Sequence, residues 1–300
     1  MALFGIGKAK MRDVTTLSIE STDLRYLSTS GGKVDKWGSV PLQPTLVERG
    51  LVTNAVEMGR VIHTLFADEG LDDKRVVTSL CALRSIPRLL TLPTLQASVM
   101  EQTIAREARK EMPVSLEDLY LSWQSMPGTN ENQQRIYVLG VPRDLVDAQI
   151  ASLEAAGIKP SSMDLKPLAL IRAVGQREAI ILCLEDDILD VVLVVDGLPA
   201  IVRTFSLARE HLDAQGRLDR MIEELSQTVR FYNDSHRSAP IHPGTAAYVM
   251  GKSVADGDAV EYLRSVMDRT LERPAAPLPG SNDLPLAEYM TNLGLAMKKL

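Results

Sequence analysis

The chain has 300 residues, longer than a single hydrophobic core usually supports, so two or more subdomains are expected. Its formal net charge of −6, from 33 basic and 39 acidic residues, argues against non-specific nucleic-acid binding as its main task. Hydrophobic residues make up 45% of the chain but aromatic residues only 4%, so the core must rely on aliphatic side chains.

In the first half, the spacing of apolar residues predicts strands and helices in alternation. In chain order these are a three-strand meander at 14–41, a helix at 54–68, strands at 75–81 and 88–92, a helix at about 95–111, strands at 119–123 and 135–141, and helices from Pro142 to Gly157 and over 167–174. Thr94 is the expected N-cap of the helix at 95–111. The polar stretch 127–132 is expected to form a hairpin loop.

The second half begins with another meander and then continues as helix, strand and helix. Its predicted elements are strands at 179–184, 188–195 and 198–205, helices at 217–234 and 256–271, a strand at 246–250, and a last helix at 286–299. Asp196-Gly197 is the strongest hairpin signal in the chain. The order predicts a mixed α/β protein in two halves, with an extra strand-helix-strand-strand piece in the first.

The two meanders have similar sequences, 165 positions apart and without a gap. LSIESTDL at 17–24 aligns with LCLEDDIL at 182–189, with identical residues at three positions. Each copy is typical of a strand, a short acidic turn and a second strand. A duplicated meander predicts two lobes with a cleft between them, and chance similarity of two short β patterns is the alternative.

Cysteine use and hydropathy favour a cytoplasmic protein. Cys81 and Cys183 both lie in apolar β-like runs, where burial as small hydrophobic side chains is expected rather than a disulfide or a metal site. No stretch approaches the ~18 apolar residues that a membrane span needs. The segment 1–10 is too short for a secretory signal, and a frayed terminus is expected there.

Three further stretches carry a resemblance to a known family. They are a charged helix that ends at Met112-Pro113 and leads into a strand (101–124), the segment VLGVPRDLVD…LEAAGIKP…DLKPLAL (138–170), and the tail NLGLA (292–296). With the order of elements, they make the chain resemble the actin-like ATPase superfamily, which includes actin, sugar kinases and the cell-division protein FtsA. Within it the chain is similar to the type IV pilus assembly protein PilM family.

The resemblance implies a duplicated actin-like (ribonuclease H-like) α/β fold of two lobes, with an inserted α+β subdomain in the first lobe. The implied first lobe comprises 14–82 and 155–177, and the insert comprises 83–154. The second lobe comprises 178–300, with about 206–245 as its smaller subdomain.

In this superfamily each meander turn carries an Asp that holds Mg²⁺ through water and a Gly that lets backbone amides approach the nucleotide phosphates. At those positions this chain has Ser18 and Glu20 in the first turn, and Cys183 and Glu185 in the second. A carboxylate ~4 Å from a phosphate costs on the order of 4 kcal/mol at an effective dielectric constant near 20. Both turns are therefore expected to disfavour a nucleotide.

The resemblance implies a cleft whose nucleotide positions are degenerate: Ser18, Glu20, Arg25, Glu185, Asp186, Gly251 and Lys252. Of the Gly pair that normally follows a strand on the adenosine side, only Gly251 is left. We expect no catalytic residue, no metal and no cofactor, and hence no enzyme activity. The alternative is that the acidic residues of the two turns, Glu20, Glu185, Asp186 and Asp187, hold a metal and permit Mg·ATP binding.

Without enzyme activity, the function that the resemblance implies is recognition of a partner. Members of the family bind the N-terminal tail of an inner-membrane PilN-like protein in a groove between the first lobe and the insert, which suits an extended peptide. Here the groove is expected near 84–92 and the helix at 95–111. The residues expected to contact the partner are Arg88, Leu90, Arg106 and Arg109. For the arginines, an ordinary charged helix face is the alternative.

The sequence thus predicts a non-catalytic cytoplasmic scaffold of a type IV pilus-like assembly machine, held at the inner face of the membrane through its partner. Other pilus assembly proteins are expected partners, and a homo-oligomer is left open. One alternative is an active actin-like ATPase. Another is an FtsA-like filament-forming protein tethered by a terminal amphipathic helix, although the apolar face of the last helix is typical of a core.

Overall fold

The computed structural model describes residues 13–299, except residues 95, 131, 209, 211 and 256. The predicted frayed terminus at 1–10 lies outside the described residues. The first part of the chain contains β1 (Thr15–Ile19), β2 (Asp23–Ser30), β3 (Lys33–Pro41), β4 (Val47–Glu48), β5 (Leu51–Val52), α1 (Ala55–Glu69), β6 (Val76–Leu80), β7 (Ile86–Pro93), α2 (Ala97–Glu111), β8 (Leu119–Asn130), β9 (Gln133–Pro142), α3 (Arg143–Ala155), β10 (Ser162–Leu165) and α4 (Lys166–Val174).

The second part starts at the second meander. It contains β11 (Ala179–Leu184), β12 (Ile188–Val195), β13 (Leu198–Ser206), α5 (Ala214–Ser235), β14 (Ala247–Met250), α6 (Gly257–Val266), β15 (Leu271–Glu272) and α7 (Leu286–Ala296). The strands of this second meander have the predicted bounds to within one residue.

Two five-stranded sheets form the two lobes, with strand orders β10-β6-β1-β2-β3 and β13-β12-β11-β14-β15. In each sheet, the first meander strand pairs antiparallel with the second and parallel with a later strand. The registers correspond as well, since Ser18 lies opposite Arg25 and Cys183 lies opposite Asp190. The predicted duplication and the two-lobed α/β fold are therefore confirmed.

The insert is the three-stranded sheet β7-β9-β8 with α2 on one face. Ile136 and Val138 of β9 pack into the core beneath α2, together with Leu90 of β7. Tyr137 and Leu139 lie on the other face of the sheet and pack against residues of the first lobe. The two faces therefore have separate roles, because successive residues of a strand point to opposite sides.

Each lobe has its own apolar core. In the first lobe, α1 and α3 cover the sheet, and Ile62 packs near Leu153. The predicted boundary after residue 154 assigns the helix of Leu153 to the insert, but in the structure α3 shares the core of the first lobe. In the second lobe the core lies beneath α5 and α6.

The last helix, α7, lies in a core to which both lobes contribute. Met290 and Leu293 pack with Leu27 of the first lobe and Ile181 of the second. Every residue of α7 from 289 to 296 is buried. Within the described part of the chain, each helix is too short or too polar to span a membrane.

Several predicted boundaries were wrong. The stretch predicted as a loop at 127–132 begins as strand, because β8 continues to Asn130, with an irregularity in its pairing after Met126. Gln96 rather than Thr94 occupies the N-cap of α2, and it makes no side-chain capping bond. The helix predicted to reach residue 271 ends at Val266, because the chain then pairs with β14.

The Asp-Gly turn and one of the two cysteines are as predicted. Asp196 and Gly197 both have positive φ, 54° and 76°, as expected for the Asp-Gly hairpin turn. Cys183 is buried as predicted, whereas Cys81 is only partly buried.

Candidate functional site

The two acidic turns meet directly between the lobes. Ser21 in the first turn donates a hydrogen bond to Asp187 in the second, with 2.5 Å between the oxygens. Thr22 donates to Asp186 at 2.7 Å. These turns follow β1 and β11, which occupy corresponding places in the two sheets, so the duplication itself brings them face to face.

A buried ion pair crosses between the lobes beneath the turns. Arg25 of β2 binds Glu185 with two parallel hydrogen bonds, Nη1 to Oε1 at 3.1 Å and Nη2 to Oε2 at 2.8 Å. Their side chains are only 1% and 3% exposed. Arg25 also contacts Asp23 at 3.3 Å and donates to the carbonyl oxygen of Glu288 in α7. Bidentate pairing of this kind fixes orientation as well as charge.

A second buried cation joins the two glutamates that replace the turn glycines. Lys166 is the first residue of α4, and its Nζ lies 2.9 Å from Glu20 Oε2 and 3.4 Å from Glu185 Oε1. It also lies 4.0 Å from Asp190 Oδ2. We call the six buried ionisable side chains the inter-lobe charge cluster; they are Glu20, Asp23, Arg25, Lys166, Glu185 and Asp190.

The cluster shifts the pKa values of its members in both directions. Burial raises the pKa of Glu185, but the positive charges of Lys166 and Arg25 outweigh burial and lower it to about 2. Burial lowers the pKa of Lys166, but the acidic groups around it, Cys183 first and then Glu185 and Glu20, raise it well above its ordinary value. Glu185, Lys166 and Arg25 therefore hold one another in their ionised forms at neutral pH.

The other carboxyl groups behave differently, because four carboxyls face two cations. Burial raises the pKa of Glu20, and Glu185 adds to this although Lys166 opposes it. Burial also raises the pKa of Asp23 and of Asp190. One oxygen of Asp190 is buried without a hydrogen-bond partner. Folding therefore favours the protonated form of these three carboxyl groups.

A pH dependence of stability follows. A carboxyl whose pKa is raised in the folded state stabilises the protein below its unfolded pKa, and this contribution is lost as the pH rises through the folded pKa. We expect Asp190→Asn to be relatively more stabilising at pH 8 than at pH 4, because the amide keeps the site neutral at both. Urea unfolding of both proteins at the two pH values measures this difference.

The control for that measurement is Asp196→Asn, because Asp196 forms an exposed pair with Arg177. Its effect should be within ~0.5 kcal/mol at both pH values. An Asp190→Asn effect that is the same at pH 4 and pH 8 would contradict the raised pKa of Asp190.

The third loop of the cleft follows β14. The backbone N–H of Lys252 donates to Glu185 Oε2 at 3.3 Å, and its Nζ contacts Asp186 Oδ2 at 3.0 Å. Gly251 has φ of 103°, and a β-carbon there would overlap the Leu184 backbone. Ser18, at the former Asp position, donates to Glu20 Oε1 at 2.7 Å. The structure thus brings together all seven residues predicted for the cleft.

Three of the four acidic side chains of the turns are already paired with cations. Glu20 and Glu185 are bound by Lys166 and Arg25, and Asp186 is bound by Lys252. A hard divalent cation needs oxygen ligands that are free to surround it. No group of three His, Cys, Asp or Glu side chains among the described residues is placed to hold a metal.

The residues predicted to bind a partner are scattered over the insert. Leu90 is 8% exposed and packs beneath α2, so its side chain is not at the surface. Arg88 donates to the carbonyl oxygen of Glu111 at 3.1 Å and so ties β7 to α2. Arg106 and Arg109 are exposed on α2, where Arg106 pairs with Glu107 at 3.2 Å.

A cavity of about 280 Å³ lies on the other face of the insert sheet. Its walls come from the insert, from the start of α4 and from β13 of the second lobe. They are lined by Ala82, Arg84, Ser85, Pro87, Tyr137, Leu139, Leu165, Pro167, Leu168, Val202, Arg203, Thr204 and Phe205. The predicted groove near 84–92 touches this cavity at its first residues, but α2 lies on the far side of the sheet. The sequence did not indicate the contribution of β13.

Comparison with known proteins is consistent with the two-lobed fold. A family model described as Type IV pilus assembly protein PilM matches residues 12–212. No curated protein matches the chain. A solved PilM-PilN type IV pilus biogenesis complex contains a chain that is 21% identical, with coverage of 95% of this chain and 98% of that chain and a TM-score of 0.77.

Two other solved structures share the fold at lower similarity. The cytoplasmic domain of EpsL, an inner membrane component of the type II secretion system of Vibrio cholerae, is 13% identical over 96% of this chain and 97% of its own, with a TM-score of 0.56. A Bacteroides thetaiotaomicron protein with an actin-like ATPase fold is 8% identical over 97% of both chains, with a TM-score of 0.51. These similarities confirm the actin-like fold that the sequence predicted.

Proposed function

This chain belongs to the type IV pilus assembly protein PilM family, and we propose that it is a non-catalytic scaffold of a type IV pilus-like assembly machine. Its task is to bind the N-terminal cytoplasmic tail of a PilN-like inner-membrane protein, which holds it at the inner face of the membrane. A solved complex of the same fold is described as a PilM-PilN complex, which supports a partner of this kind.

The inter-lobe charge cluster is the observation that supports the non-catalytic part of this proposal. Arg25 and Lys166 bind the glutamates of both turns, and the turns are hydrogen-bonded to each other. A nucleotide between the lobes would have to separate these turns and expose its phosphates to buried carboxylates. Separating a buried pair leaves uncompensated charges and costs about 3–5 kcal/mol.

The cavity between the insert and the second lobe supports the docking part of the proposal. It has apolar walls from Pro87, Leu139 and Leu168, and its lining includes two arginines but no acidic residue. Its volume lies just below the ~300–1,000 Å³ of pockets that enclose whole small molecules. A short stretch of extended peptide, with apolar side chains and main-chain carbonyl groups facing the arginines, fits this chemistry.

Filling the cavity is expected to prevent docking. Ser85 lines the cavity and is partly buried, so Ser85→Phe places an aromatic ring in the space that the tail would occupy. We expect an affinity at least ~10-fold weaker, which corresponds to about 1.4 kcal/mol. Fluorescence anisotropy with a labelled synthetic peptide, corresponding to the N-terminal tail of the PilN-like protein from the same genome, measures it.

The matched control is Ser125→Phe, since Ser125 is exposed on β8 of the same insert and does not line the cavity. It should bind the peptide as the wild type does. If the wild type binds no tail peptide, the docking proposal fails. If both variants bind normally, the tail binds elsewhere.

A further inference from the structure

One wall of the cavity is β13, the last strand of the second meander. β13 lies at the edge of its sheet, and within the described part of the chain no strand pairs with its outer side. Four consecutive residues, 202–205, line the cavity. Because successive side chains of a strand point to opposite faces, four in a row can line one cavity only where it runs along the strand's edge.

A free strand edge presents unpaired main-chain N–H and C=O groups at every second residue. Here that edge faces a partly enclosed cavity rather than open solvent. The Ser85 hydroxyl, which belongs to the cavity wall opposite, is buried without a hydrogen-bond partner. Buried polar atoms are nearly always satisfied, so this hydroxyl favours a polar occupant.

The charged residues of the cavity lie on both walls. On the insert side, Arg84 has φ of 69°, a left-handed conformation that is uncommon for a residue with a side chain. On the β13 side, Arg203 stacks over the ring of Phe205 and donates to Thr228 Oγ1 at 3.2 Å. Arg84 is paired with Asp144 Oδ2 at 2.8 Å. Arg203 therefore supplies the positive charge, on the β13 wall, which favours the carbonyl and carboxylate oxygens of a peptide.

We infer that an extended segment of the partner's tail adds to β13 as a further strand, with its main chain hydrogen-bonded to the second lobe and alternate side chains directed toward the insert. This inference rests on the proposed function, and it adds the second lobe to a groove that the sequence placed between the first lobe and the insert alone. The docked segment then contacts both lobes. Its site therefore depends on the lobe arrangement that Arg25, Lys166 and Glu185 fix.

Hydrogen–deuterium exchange of the full chain, with and without the synthetic tail peptide, tests the strand addition. At saturating peptide we expect slower exchange of amides in residues 200–206. The matched control is β3, the edge strand of the other lobe, whose exchange should not change. Protection confined to the insert would overturn the strand addition while the tail-binding function stands. Failure of the peptide to bind at all would overturn both.

A second test leaves the protein untouched. Strand addition uses the main-chain N–H groups of alternate peptide residues, so N-methylation at every second position of the tail peptide should weaken binding by at least ~10-fold. Methylation at the positions between should have little effect. If N-methylation has the same effect on affinity at neighbouring positions, the segment is held by its side chains, which contradicts the inference.

A third test concerns the charge on the β13 wall. Arg203→Ala should weaken peptide binding several-fold, whereas Arg177→Ala, at an exposed pair at the end of the same sheet, should not. Because Arg203 also bonds Thr228, the thermal unfolding of each variant is measured alongside. An unchanged affinity in a folded Arg203→Ala protein would remove the arginine from the docking site and contradict the charge part of the inference.

Discussion

Replacement of Lys166 by methionine is expected to lower the free energy of unfolding by about 3–5 kcal/mol. Methionine has a similar length but no charge, so the change leaves Glu20 and Glu185 close together with Arg25 as their remaining cation. Removal of one partner from a buried pair is costly, because the other charge stays desolvated. Equilibrium unfolding in urea at pH 7 measures the change.

The control is Lys110→Met, since Lys110 pairs with Glu107 on the exposed face of α2 and its side chain is 62% exposed. Exposed pairs contribute about 0–1 kcal/mol. A second change, Glu20→Gln in the Lys166→Met background, removes one of the two glutamates and should restore part of the lost stability. A loss below ~1 kcal/mol for Lys166→Met, or no coupling between the two positions, would contradict the role of the cluster.

Replacement of Gly251 by alanine is expected to cost about 2–6 kcal/mol, because two penalties combine. The backbone there has φ of 103°, outside the regions that residues with side chains adopt easily, and strain of this kind costs about 1–3 kcal/mol. The new methyl group would also overlap the Leu184 carbonyl group of β11, and overpacking adds about 1–3 kcal/mol. Thermal or urea unfolding measures the effect.

Gly157 provides the control, since it also has positive φ, 78°, but an added β-carbon there meets nothing within 4 Å. Gly157→Ala should therefore cost only the backbone penalty, about 1–2 kcal/mol. The difference between the two variants isolates the close approach of the loop to β11. If both cost the same, Gly251 is not required for packing, and its presence in the cleft would need another explanation.

This packing requirement bears on the interpretation of the cleft. Gly251 is the one glycine of the implied adenosine-side turn that this chain keeps. Because the Leu184 backbone leaves no space for a side chain at this position, the glycine is explained without a nucleotide. The presence of Gly251 is therefore no argument for nucleotide binding.

The meanders could be predicted from the sequence because their signals are local. Alternating apolar residues and the Asp196-Gly197 turn fix each strand within a few positions of the chain, and the 165-residue offset then indicates which turns correspond. The family resemblance, rather than this offset, placed Arg25 and Glu185 in one predicted cleft. The bidentate contact between them depends on how the lobes pack, which no local pattern specifies.

Lys166 shows why part of the site could not be predicted. Its ammonium contacts Glu20 across 146 positions of the chain, and it lies in the segment DLKPLAL, whose apolar residues predict only a buried helix. A lysine at the start of a helix is ordinarily solvated. Only the convergence of α4, β1 and β11 turns it into the buried centre of the cluster.

The insert shows a second limit of prediction from the sequence. Alternation over 88–92 predicts a strand correctly, but it does not say which of its two faces a helix will cover. α2 covers the face of Leu90, so the open face and its cavity lie on the opposite side of the sheet. The contribution of β13 to that cavity depends on the approach of the second lobe, which is a property of the whole fold.

We propose that the protein's own ion pairs fill the cleft between the lobes and that docking is the remaining task. Isothermal titration calorimetry of the full chain with Mg·ATP at up to about 1 mM tests this claim most directly. We expect no saturable binding heat, while the tail peptide binds to the same preparation. Saturable binding of Mg·ATP with a dissociation constant below about 0.1 mM would contradict the claim.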